Sequence, residues 1–102
     1  MKIVIEDKDV KDAIAVVNDW MGLRYTPAQM LELLEKNPHV VAEMSMFGAF
    51  DTVSRETLMD VVGEDLTGRT CPLNMDGDEL GAKFYTDLYQ AAKEKGIYIL
   101  QI

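Results

Sequence analysis

The chain has 102 residues, near the modal size of one domain, so a single globular unit over residues 1–102 is expected. Ten Lys and Arg stand against 18 Asp and Glu, a formal net charge of −8. Such a surface repels phosphate backbones and anionic headgroups, which excludes nucleic acid and membranes as expected partners. Hydrophobic residues make up 48%, too many for a chain held disordered by a lack of apolar surface.

Residues 1–6 carry the β-branched run Ile3, Val4, Ile5 and read as a first strand, ended by the charges of Asp7, Lys8 and Asp9. From Asp9, a candidate cap, Val10, Ala13, Ile14, Val17 and Met21 recur at helical spacing, with Trp20 widening the apolar face and Gly22 as the stop. Thr26, Pro27 and Gln29 spell a capping box with proline in the first helical position, flanked by Tyr25 and Met30 as a staple. This second helix is predicted to end at Asn37, because Pro38 drives its predecessor out of helical geometry. Asn37 and Pro38 in turn start a third helix that buries Val40, Val41 and Met44 and stops near Gly48.

Residues 47–53 suit either a short strand or a surface crossing. Ser54 is the expected cap of a fourth helix ending at Gly63, followed by an irregular stretch over 63–75. Asp76 with Glu79 repeats the capping-box logic, with Met75 and Leu80 as staple, for a fifth and longest helix. Its apolar stripes are Leu80, Phe84, Leu88, Ala91 and Tyr85, Tyr89, Ala92, and Gly96 ends it. Residues 97–102 read as a strand apolar on both faces apart from Gln101. The fold class expected is therefore α+β: about five helices packed on a small sheet formed by the N- and C-terminal strands. Two strands alone are marginal, so the sheet would take a third from 47–53 or pair with a second copy as a homodimer through a strand edge.

Chemistry-bearing constellations are sparse. An EF-hand register around Gly77 fails, since it puts Pro72 first and Lys83 twelfth, where carboxylate ligands are required. Cys71 and His39 are each alone of their type, and nothing in the spacing brings them together as a nucleophile pair. The acidic pairs Glu32/Glu35, Glu56/Asp60 and Glu64/Asp65 read as solvated faces, and no glycine-rich phosphate loop is present. No cofactor and no metal are expected. Seven methionines suit irregular core filling, yet Met44, Ser45, Met46 and Phe47 are consecutive and cannot all turn inward on a helix.

The function expected is a small acidic non-catalytic binding or regulatory protein acting through protein–protein contact, of the kind that includes inhibitors of bacterial or phage origin. Its candidate partner-binding residues are Met44, Met46 and Phe47, with Glu64 and Asp65. Two alternatives are an acidic nucleic-acid mimic that blocks a DNA- or RNA-binding enzyme, and a small enzyme using Cys71 or a loop carboxylate. One cysteine and no secretory pattern at the N-terminus make the cytoplasm the expected compartment.

Overall fold

The computed structural model describes residues 3–71 and 79–99. Among these, five helices dominate: α1 (Asp7–Met21), α2 (Pro27–Lys36), α3 (Pro38–Phe47), α4 (Thr52–Thr67) and α5 (Glu79–Glu94). Two-residue strands β1 (Leu23–Arg24) and β2 (Tyr98–Ile99) pair antiparallel, Leu23 opposite Ile99 and Arg24 opposite Tyr98. This ladder is a clip rather than a layer, and the expected α+β class is corrected to a helical fold, with no further sheet among the described residues.

The N-terminal strand is the first casualty. Residues 3–6 form no ladder, and Ile3 and Val4 are exposed. The acidic cluster that looked like a strand end is a helix start: the Glu6 N–H donates to the Asp9 carboxylate at 2.9 Å, and the Asp9 and Val10 N–H groups donate to the Glu6 carbonyl. The C-terminal strand finds its partner in Leu23–Arg24, just after α1, instead of in the N-terminus. The alternative third strand, 47–53, is the last residue of α3, a turn in which the Asp51 N–H donates to the Gly48 carbonyl, and the start of α4.

Helix boundaries follow local chemistry where caps are present. Thr26 Oγ1 accepts from the Gln29 N–H at 3.2 Å while Gln29 Oε1 accepts from the Thr26 N–H at 3.0 Å, the reciprocal pair the sequence implies. Asn37 caps differently from expectation: its side-chain amide donates back to the Leu33 carbonyl at 2.9 Å, closing α2 instead of opening α3. The cap of α4 is Asp51, whose carboxylate accepts from the Val53 N–H. Ser54 is instead buried inside the first turn and donates to the Glu43 carbonyl at 3.0 Å, tying α3 to α4.

Gly63 does not end α4. The helix expected to stop there continues to Thr67 and ends at Gly68, which has φ +76°. Gly63 serves packing: a Cβ there would lie 2.9 Å from Phe84 Cζ and 3.3 Å from Cys71 Cβ. The stretch expected to be irregular over 63–75 is helical to 67, and the Asp76 cap and Met75/Leu80 staple lie outside the described residues and side chains.

Buried side chains from every helix form one cluster. α1 packs on α2 and α4, α3 on α4, and α4 on α5. Four methionines, Met21, Met30, Met44 and Met59, are in that core, as the irregular-filling reading expects. Phe84, Leu88 and Ala92 are the buried stripe of α5, with Tyr85, Tyr89 and Ala91 packed beside it.

Replacing Thr26 by Ala is expected to lower unfolding free energy by about 1 kcal/mol, the usual worth of a side-chain cap. Gly63→Val should cost about 2–3 kcal/mol by overpacking, since Phe84 is buried and stands edge-on to Tyr85 at 5.5 Å, so the ring has little room to yield. Urea denaturation followed by circular dichroism checks both; an unchanged midpoint for Gly63→Val would contradict the close approach of α4 and α5.

Candidate functional site

Of the five residues expected to contact a partner, the structure brings together Met46 and Phe47 on one exposed corner and places the others elsewhere. Met46 is 74% exposed and Phe47 50%, at the end of α3. Met44 is 5% exposed and belongs to the core, because it lies on the face of α3 that meets α4. That removes it from the candidate surface. Glu64 and Asp65 are exposed near the end of α4, about 18 Å along the helix axis from its beginning.

The corner is larger than the sequence suggests. Phe50 (56% exposed) and Val53 (47%) follow Met46 and Phe47 within eight residues that contain one charge, Asp51. Trp20, expected to widen the buried face of α1, is 53% exposed, and the Arg55 guanidinium in the first turns of α4 covers its ring at 3.8 Å from the centroid. The apolar run at 47–53 was visible in the sequence, but its exposure depends on the turn that folds α3 back against α4.

A second feature, which no local sequence pattern signals, is a polar cleft of about 330 Å³ lined by Tyr25, Gln29, Glu32 and Lys36 together with Asp65 and Lys95. Lys95 Nζ donates to the Asp65 backbone carbonyl at 2.7 Å and approaches its carboxylate at 3.5 Å. Lys36 and Glu32 pair at 3.2 Å. Tyr25 is 5% exposed, and its hydroxyl has no hydrogen-bond partner. Burial, reinforced by the nearby Asp65 charge, pushes its phenol well above the usual range.

Cys71 is buried among Gly63, Phe84 and Tyr85. Burial raises its thiol above the ordinary 9.0, an effect the Tyr85 hydroxyl partly offsets and the Asp60 charge reinforces. A nucleophilic thiol needs the opposite shift. On α4, Asp60 is pushed upward by partial burial and then by Glu56 and Glu64, which lie one turn away on either side. Among the described residues, no three His, Cys, Asp or Glu side chains converge as metal ligands, and no helix is long and apolar enough to cross a membrane.

The chain belongs to a family described as a domain of unknown function, DUF8308. The family model matches residues 1–101. No curated protein and no solved structure shows a significant match.

The buried acids set an alkaline limit on stability. Cys71, Tyr25 and Tyr85, the last pushed up to about 12, all keep their protons in the folded state at pH values where an unfolded chain releases them. Their contribution is complete below the ordinary thiol value of 9.0 and is lost as pH rises through the folded values. Denaturation midpoints measured from pH 8 to pH 11 should fall through this window, and iodoacetamide should label Cys71 far more slowly in the folded than in the urea-unfolded chain.

Proposed function

We propose that the chain is a small non-catalytic binding or regulatory protein that acts by contact with another protein, docking through the α3–α4 corner. The observation that carries this reading is the exposure of Met46, Phe47, Phe50 and Val53 within eight residues. Contiguous exposed apolar side chains cost solvation free energy unless a partner covers them, and aromatic and methionine side chains predominate in interface cores. Trp20 under Arg55 extends the surface with the two residue types richest in binding hot spots. The net charge of −8 directs the partner away from phosphate backbones and anionic membranes and fits a cytoplasmic setting.

The nucleic-acid mimic has one observation in its favour. Glu56, Asp60 and Glu64 descend one side of α4 at one charge per ~6 Å of helix axis. A DNA strand carries one per ~3.4 Å. The stripe has about half the density a mimic needs, so the apolar corner is the stronger candidate. Catalysis by Cys71 is disfavoured by its burial and raised thiol, and catalysis by Glu64 or Asp65 by their exposure on an ordered helix.

Tagged wild-type protein should capture a partner from native lysate at moderate salt, and Met46→Ser and Phe47→Ser should each reduce capture at least tenfold without shifting the denaturation midpoint downward. Capture lost in moderate salt, and abolished by Glu56→Gln with Asp60→Asn instead, would favour the mimic. Light scattering distinguishes a second copy of the chain from a different partner.

A further inference from the structure

We propose that the α3–α4 corner and the carboxylate row leading from it along α4 together dock a basic amphipathic helix of a partner protein, its apolar side chains on the corner and its Lys and Arg over the row. The proposal rests on the reading of the corner as a docking surface and adds the chemistry of what covers it.

Apolar and acidic groups share one face of α4. Val53, exposed in the first turn, is followed on the same side by Asp60 and Glu64, seven and eleven residues on, because those separations are close to two and three whole turns. Glu56 lies beside them. The surface thus begins apolar at the corner and becomes anionic over roughly 16 Å of helix axis.

The row has no cations of its own. Between Lys36 and Arg69 the chain carries six acids and a single base, Arg55, and that guanidinium is turned onto the Trp20 ring. The ion pairs among the described residues engage Asp12, Glu32, Asp65 and Asp87, and none of them reaches Glu56, Asp60 or Glu64. Asp60 is pushed upward by partial burial and then by Glu56 and Glu64, a repulsion that nothing within the chain offsets. Cations brought by a partner relieve it, and the negative field steers a basic surface toward the apolar contact. A second copy of the chain brings the same row with the same sign, so charge selects against it as the occupant.

Spacing and backbone chemistry select a helix. Glu56, Asp60 and Glu64 recur every ~6 Å, the rise at which Lys or Arg four residues apart recur on a helix lying alongside. An extended segment repeats its side chains at a similar distance, but its backbone donors and acceptors would face a helix whose own are already paired. A docked helix satisfies its backbone internally and presents apolar anchors and flanking cations together.

The probe is a synthetic helical peptide of about 18 residues, with leucine and phenylalanine on one face and lysine flanking it. Its comparisons are the same peptide with glutamate for lysine, a scrambled sequence without the apolar face, and spermine. Titration followed by nuclear magnetic resonance should show saturable shifts at Phe50, Val53 and Asp60 with the basic peptide, and at least tenfold weaker binding of each comparison. Phe47→Ser, and separately the triple change Glu56→Gln, Asp60→Asn, Glu64→Gln, should each weaken peptide binding about tenfold without lowering the denaturation midpoint. If Phe47→Ser weakens binding and the triple change does not, the basic partner is overturned while the corner remains a docking surface. If only the triple change matters, both readings fail. Equal binding of the glutamate or scrambled peptide or of spermine, or no saturable binding of the basic peptide, would overturn the proposal. So would light scattering that shows the chain pairing with itself in a manner abolished by Phe47→Ser, since a second copy would then be the occupant.

Discussion

The fold depends on α4 passing Gly63 without interruption. A glycine inside a helix costs roughly 1 kcal/mol relative to alanine, because the unfolded chain gains more backbone freedom there. Here the missing side chain lets Phe84 of α5 approach the helix more closely than a Cβ permits, with Cys71 close beside it. Burial of a phenyl ring stabilises by about 1.5–3 kcal/mol, which more than offsets the propensity cost. With α4 unbroken over 16 residues, α1, α3 and α5 all pack on it.

The same helix separates the two candidate surfaces. Its beginning, tied to α3 by the Ser54 hydroxyl and to Trp20 by Arg55, holds the exposed apolar corner. Its end reaches the polar cleft through Asp65 and is fastened to the start of the final strand region by Lys95. Arg69, just beyond, pairs with Asp87 on α5 and lies over the Phe84 ring, reinforcing the contact that Gly63 allows. With about 18 Å of helix between Val53 and Asp65, the two surfaces answer to different chemistry. One carries exposed apolar side chains; the other is lined by two ion pairs and Tyr25.

The burial pattern also divides the titratable groups of the described residues. The lone thiol and two tyrosines sit where desolvation holds them protonated, partial burial pushes Asp60 the same way, and Glu64 and Asp65 are exposed. General acid–base and nucleophilic work draw on a carboxyl or thiolate held in a cleft beside a stabilising charge. Recognition by shape and apolar contact needs neither.

Local chemistry alone determined the starts and stops that depend on neighbours within four residues. The Thr26–Gln29 box, the proline at the head of α3 and the glycines at 22, 48 and 96 were readable because a cap is closed by residues adjacent in sequence. Helical periodicity likewise identified most of the core, and the Met44–Phe47 run announced that some apolar residue must face out. Tertiary structure decided the rest. Residues 3–5 have strand composition, yet a ladder requires a partner, and the partner of the C-terminal strand proved to be Leu23–Arg24. Gly63 has the composition of a stop, yet its role is set by Phe84, twenty-one residues away. Tyr25 reads as a staple; that its hydroxyl is left unmatched beside Asp65 and Lys95 follows only from the assembly of three distant segments. Capping is a short-range electrostatic effect written in consecutive residues, whereas burial and hydrogen-bond satisfaction are properties of neighbours the chain acquires by folding.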